Sequence, residues 1–281
     1  MGTRQRPVRP AHRWPVAGAG ALAVALLITG CGTGDEVTAP ASTHQPVTNH
    51  PAPPTTDRDI MHLPHFAPLD PGTYSIDPDD DPATQLRVLY TVPADGWVQW
   101  IGAAKSSDNG LVAVSITTVT NVVRDGCSDH SWADPPIGPS VDDLAAALTS
   151  LAPFRVTSTP TDVSIYGYPG VHLQWTVPNL PFEGEGGDGT FMECVGGQLK
   201  SWVAAVDTAP GDAFYGYTGP GYTEEFWILD VDGNRLMIAA EWSLDSPAED
   251  IEELRTILHS IRIQPGPRTS RPAAPHGSAE L

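Results

Sequence analysis

Lysine is nearly absent from this 281-residue chain, occurring at Lys105 and Lys200, and fifteen basic residues in all stand against thirty-four acidic ones. Four of the fifteen, Arg4, Arg6, Arg9 and Arg13, precede residue 31, so the remainder carries eleven against thirty-four, a formal charge of −23. Such a surface repels phosphate backbones and anionic head groups, which excludes nucleic acid as a partner and nonspecific adhesion to a membrane. Catalytic signatures are missing too. There is no G-x-S-x-G elbow and no S-x-x-K pair, so the usual serine-hydrolase and penicillin-binding readings lose their basis. No internal repeat and no cofactor-binding motif is visible. Cysteine is equally scarce, at Cys31, Cys127 and Cys194.

What the chain does have is a leader. The four arginines open it without an acidic residue, an apolar run from Val16 to Ile28 follows, and Leu27, Ile28, Thr29, Gly30 and Cys31 close it. This is a charged n-region and an h-region of signal-peptide length, too short for a membrane span. The closing residues resemble the lipobox of bacterial lipoproteins, with small residues at the last two positions before the cysteine. That resemblance implies cleavage after residue 30, acylation (palmitate among the chains) at Cys31, and a mature protein lipid-anchored on the extracytoplasmic face of the cell membrane. Several acyl chains give stable attachment where one gives only marginal attachment. In that oxidising compartment the remaining even pair, Cys127 and Cys194, reads as a disulfide. It closes a loop of about 67 residues, worth on the order of 4 kcal/mol in the chain-entropy account.

Composition divides the rest. Residues 1–30 are the signal peptide, and 31–70 are a Pro/Thr/Ala-rich tether whose prolines favour extended chain. Residues 71–264 form a single α+β domain, and 265–281 repeat the tether's composition as a disordered tail. Within the domain, Leu86 to Val92 and Trp97 to Ile101 flank the turn-forming Pro93 to Gly96, and Leu111 to Val123 is the longest β-like run. Further strands are expected at Phe154 to Ser158, Val163 to Ile165, Val171 to Val177, Phe191 to Val195 and Leu199 to Val206. Phe226 to Val231 and Asn234 to Trp242 flank Asp232 and Gly233, the preferred pair for a type I′ hairpin. That register sets Leu229 opposite Leu236 and Trp227 opposite Ile238 on an apolar face, with Asp230 and Arg235 paired on the other. A first helix starts at the N-cap Ser140 and presents Leu144, Leu148 and Leu151. A last helix has Ser246 as N-cap, Pro247 at its first position and Glu249 completing a capping box, with Ile251, Leu254, Ile257, Leu258 and Ile261 as its buried stripe. It leads into a short strand at Ile261 to Ile263.

The opening strand with Val92, Pro93, Ala94, Asp95, Gly96 and Trp97, and the closing hairpin, helix and strand after His259, Ser260 and Ile261, resemble PsbP/Mog1-like domains. The resemblance covers the first thirty and last forty residues of the domain. It implies an antiparallel β-sheet flanked by two helices and a noncatalytic accessory or binding role, and it transfers no site residues. The chain is also similar to a group of actinobacterial lipoproteins carrying the cysteine pair.

Several clusters carry side chains capable of chemistry. Cys127, His130 and Cys194 fall short of the four ligands zinc wants, and a disulfide explains the thiols better. His62 and His65 read as solvated tether histidines. Asp77, Asp79, Asp80 and Asp81 lack the glycine and closing acid of an EF-hand and read as an acidic loop, as do Glu183, Glu185 and Asp188. No metal site is expected. The stretch from Gly211 to Tyr222 offers Phe214, Tyr215, Tyr217 and Tyr222 among glycines, and aromatic rings there, joined by Trp132, are candidates for contact with an envelope glycan, peptide or protein; the alternative is that they fold back onto the sheet. Trp97, Trp175, Trp202, Trp227 and Trp242 are assigned to the core. A lipid-anchored, noncatalytic binding or accessory protein is the expectation. Two other classes stay open: a hydrolase using paired carboxylates among Glu224, Glu225 and Glu241, and a ligand-free surface antigen or spacer.

Overall fold

A computed structural model of the chain describes residues 58–264, apart from 82, 108–109, 185–188 and 206–213. Cys31, the signal peptide and the tail after residue 264 lie outside the described residues.

The strongest local signal builds the centre of the molecule. β16 (Thr223–Val231) and β17 (Asn234–Trp242) meet through Asp232 and Gly233, both at positive φ (53° and 92°), as a type I′ turn requires. The pairs Leu229–Leu236, Trp227–Ile238 and Asp230–Arg235 form in the expected register. β7 (Gly110–Thr117) adds to β17, and β11 (Tyr168–Thr176) to β16. With β10 (Arg155–Ile165), β6 (Gly102–Ser107), β5 (Trp97–Trp100) and β2 (Pro68–Leu69) this becomes an eight-stranded antiparallel sheet. At Gly102 (φ 145°) β6 crosses so close to β7 that a Cβ would sit 2.3 Å from the Val114 carbonyl oxygen, a separation only glycine permits.

Both faces of this sheet are buried, each under a smaller sheet and a helix. On one face Val112, Val114, Ile116, Leu229, Leu236 and Ile238 pack with Leu254 and Ile257 of α2 (Ala248–Ser260) and with Tyr74, Val88 and Tyr90. The last three come from a four-stranded sheet of β1 (Arg58–Asp59), β3 (Gly72–Ile76), β4 (Arg87–Val92) and β18 (Arg262–Gln264). On the opposite face Leu173, Trp175, Phe226, Ile228 and Met237 meet Leu144 and Leu148 of α1 (Val141–Ser150). They also meet Val119, Leu199, Trp202, Tyr215 and Tyr217 of a second four-stranded sheet, β15 (Phe214–Tyr217), β14 (Leu199–Ala204), β8 (Val119–Asp125) and β9 (Asp129–Trp132). A two-stranded ribbon, β12 (Phe182–Glu183) with β13 (Thr190–Phe191), completes the described strands.

This overturns the expectation of an α+β fold with one antiparallel sheet flanked by two helices, and with it the architecture drawn from the PsbP/Mog1-like resemblance. Among the described residues eighteen strands in four sheets dominate and the α-helices number two. Strands change sheet where the sequence shows continuity. The run from Leu111 to Val123 is two strands, β7 in the central sheet and β8 in a flanking one, separated at Thr118, whose N–H donates to the Pro78 carbonyl (2.7 Å) and whose carbonyl accepts from Ala205 (2.8 Å). The turn from Pro93 to Gly96 likewise carries the chain from β4 in one sheet to β5 in another. Ile60 and Leu69, from the segment composition assigns to the tether, are fully buried.

α1 is capped as expected, by Ser140 with Asp143 reciprocating. α2 is not. Its N-cap is Pro247, with no side-chain cap, because the Ser246 hydroxyl donates to the Leu111 carbonyl (2.8 Å) and accepts from the Ser243 N–H (3.0 Å). Ser246 fastens the helix entry to β7 instead of starting the helix.

Candidate functional site

The hairpin register that places Val231 opposite Asn234 also places Glu224 opposite Glu241. Side chains alternate along a strand, so both carboxyls project onto the face covered by the β8–β9–β14–β15 sheet, while Glu225, opposite Ala240, belongs to the other face. Glu224 is 1% exposed and Glu241 6%. Two buried acids side by side in an apolar core need partners, and β15 supplies them. The Tyr217 hydroxyl donates to Glu224 Oε2 and the Tyr215 hydroxyl to Glu241 Oε1, each at 2.6 Å. Trp175 Nε1 also donates to Glu224 Oε2 (2.9 Å), and Ser201 Oγ lies 3.0 Å from the Tyr217 hydroxyl.

Burial, and next the charge on Glu241, push the Glu224 carboxyl well above the ordinary carboxylate range; the hydrogen bonds from Tyr217 and Trp175 pull it back only partly. Glu241 is raised by burial, with Tyr215 opposing. The pair therefore keeps a proton at neutral pH and titrates as a unit. Burial also drives both tyrosines far upward, so they stay neutral donors. Around them the Trp202 ring stacks on Tyr215 at 4.2 Å, and Trp100 meets Tyr215 edge-on at 6.3 Å. Three polar atoms here are buried without a hydrogen bond: Glu224 Oε1, Trp202 Nε1 and Trp100 Nε1.

The five aromatic residues predicted to make one binding surface do not. The glycine-rich stretch hides a strand, β15, whose period of two sends Tyr215 and Tyr217 inward and Phe214 and Gly216 outward. Phe214 packs edge-on against Trp132, which is 54% exposed, and lies under Lys200. Tyr222 is half-buried, its hydroxyl 3.1 Å from that of Thr218. Of the assigned core tryptophans, Trp97, Trp175 and Trp202 are fully buried and Trp227 and Trp242 partly so. The carboxylate pairing was legible by counting the hairpin register seven pairs on from Val231–Asn234.

Cys127 and Cys194 are joined in a disulfide, which takes both sulfurs out of any metal reading. Among the described residues no group of three or more His, Cys, Asp and Glu side chains is placed to hold a metal ion. An open groove of about 470 Å³ lies by the start of α1, with Asp142, Asp162, Asp230 and Arg235 in its walls. Arg235 donates there to the Gly138, Ser140 and Val119 carbonyls. No described helix is long and apolar enough to cross a membrane.

No protein-family model matches this chain, and no curated protein does. Among solved structures the chain is similar to the crystal structure of LpqN, involved in cell envelope biogenesis of Mycobacterium tuberculosis. The likeness has a TM-score of 0.32 and 12% identity over 71% of this chain and 90% of that one, a score too low to support a fold or a function.

Proposed function

We propose that the chain is a lipoprotein of the cell envelope, held on the extracytoplasmic face of the membrane by acylated Cys31, with a noncatalytic binding or accessory role. One observation carries the reading. Of three cysteines, two are joined to each other as a disulfide, a bond characteristic of oxidising compartments. The third stands at the end of a leader with lipobox spacing. The acidic mature surface agrees, since a protein repelled by anionic head groups needs a covalent anchor to remain at a membrane.

The test is metabolic labelling with an alkynyl fatty acid in a bacterial host, followed by membrane fractionation. Wild-type protein takes up label and sediments with membranes; Cys31→Ser takes up none and is released. Label that persists in Cys31→Ser would refute the anchor.

A hydrolase is the second reading, favoured by one observation, the opposed Glu224 and Glu241 with raised ionisation. A raised pKa suits a general acid, yet both carboxyls are tied to tyrosine hydroxyls inside the core. If the pair were catalytic, Glu224→Gln would abolish turnover of an envelope glycan. The binding reading predicts no turnover by the wild type either.

A further inference from the structure

Both hydroxyls that donate to the buried acid pair come from one short strand. Tyr215 reaches Glu241 and Tyr217 reaches Glu224, each at 2.6 Å, and β15 runs only from Phe214 to Tyr217. Among the described residues β15 is the edge of its four-stranded sheet, with β14 as its one neighbour. The ladder between them sets Tyr217 opposite Leu199 and Gly216 opposite Lys200, then slips before Phe214 meets Val203. A four-residue edge strand with an interrupted ladder separates at lower cost than strands paired on both sides. The acids themselves sit on β16 and β17, each of which has a partner strand on either side. The cover can therefore move while the strands beneath it stay paired.

We propose that β15 is a pH-gated flap, closed over Glu224 and Glu241 while they hold their protons and released when they lose them, which bares the rings of Trp202, Tyr215 and Tyr217. Two carboxylates opposite each other on neighbouring strands repel, and a charge in an apolar core needs a counter-charge or water. No counter-charge is at hand. The titratable groups facing the pair are Tyr215 and Tyr217 from β15 and Tyr222 from the turn before β16. β11 contributes Trp175, β14 contributes Ser201 and Trp202, and β7 contributes Ser115, which acts on Tyr215. Lys200, the cation on β14, lies over the outward ring of Phe214 instead. With Glu224 1% and Glu241 6% exposed, water reaches the ionised pair only when the cover lifts. In the closed state burial holds the protons until about pH 8 on Glu224 and about pH 7 on Glu241; in the open state each acid titrates near about 4.3. The closed form is therefore fully favoured below about pH 4 and loses that advantage as pH rises through about 7 to 8, by about tenfold per pH unit for one proton and about a hundredfold for two.

The experiment is amide hydrogen exchange of the full chain, extracted in mild detergent, at pH 5, 6, 7 and 8, read by mass spectrometry and corrected for the intrinsic pH dependence of exchange. Peptides covering β15 should lose protection steeply between pH 5 and pH 7, by about tenfold to a hundredfold per pH unit. At every pH they should be at least about tenfold less protected than β16 and β17, as local opening requires. Glu224→Gln/Glu241→Gln should remove the slope. Glu241→Gln alone, which leaves one acid and serves if the double variant does not fold, should hold the slope to about tenfold per pH unit. A flat profile for β15 in the wild type would mean ordinary fraying of an edge strand and would overturn the proposal. So would a slope that survives in the double variant. Protection in β15 equal to that in β16 and β17 would overturn it as well, since the pair would then ionise only on unfolding of the whole domain.

Discussion

Glu224 and Glu241 keep protons that exposed glutamates give up, and this sets how stability responds to pH. Burial, with the neighbouring acid adding to it, lifts Glu224 to about 8, and burial lifts Glu241 to about 7, whereas in the unfolded chain each titrates near about 4.3. Between those values the folded protein binds more protons than the unfolded one, so stability decreases as pH rises. The contribution is complete below about pH 4 and lost as pH climbs through about 7 to 8. Asp77, raised to about 6 by burial and by Asp79, acts in the same direction. Urea unfolding at pH 5 and pH 8.5 should therefore differ by a few kcal/mol in the wild type. In Glu224→Gln/Glu241→Gln most of that difference should vanish, and an unchanged difference would contradict the buried-pair assignment. These residues were visible in the sequence as three scattered acids. Only the hairpin register sorts Glu224 and Glu241 from Glu225, and only the covering sheet makes them buried.

At the scale of elements, what could be read was whatever local chemistry decides. Asp232 and Gly233 dictate their turn, and Ser140 with Asp143 dictates the start of α1, because each is satisfied within a few residues. Gly233→Val should cost about 1 to 2 kcal/mol, as a side chain at φ 92° must pay the left-handed penalty; a denaturant midpoint equal to the wild type's would refute it. What could not be read depends on partners distant in sequence. β15 looks like a glycine-rich loop until β14 pairs with it, and Ser246 looks like a cap until Leu111 takes its hydroxyl. Ser246→Ala should thus lower stability by about 0.5 to 1.5 kcal/mol while hydrogen exchange in the first turn of α2 stays as in the wild type. Faster exchange confined to that turn would restore the capping role. The sheet-to-sheet passage at Thr118 was hidden for the same reason: β7 and β8 share one composition, and the Pro78 and Ala205 contacts that divide them come from elsewhere in the chain.

Across the whole molecule, a central sheet buried on both faces depends on two covering layers staying in place. The disulfide ties the turn after β8 to the segment after β13, where Val195 N–H donates to the Cys127 carbonyl (2.8 Å) and Lys200 N–H to the Gly126 carbonyl (2.9 Å). Replacing both cysteines with serine should cost about 2 to 5 kcal/mol, read as an equal loss with or without reductant, whereas the wild type should lose that amount only when reduced. Location, staple and anchor then form one claim, tested most directly by the intact mass of the membrane-extracted protein before and after reduction. The account predicts a chain that begins at acylated Cys31 and gains two hydrogens on reduction. A mass that retains residues 1–30, lacks the acyl chains, or does not change on reduction would contradict it.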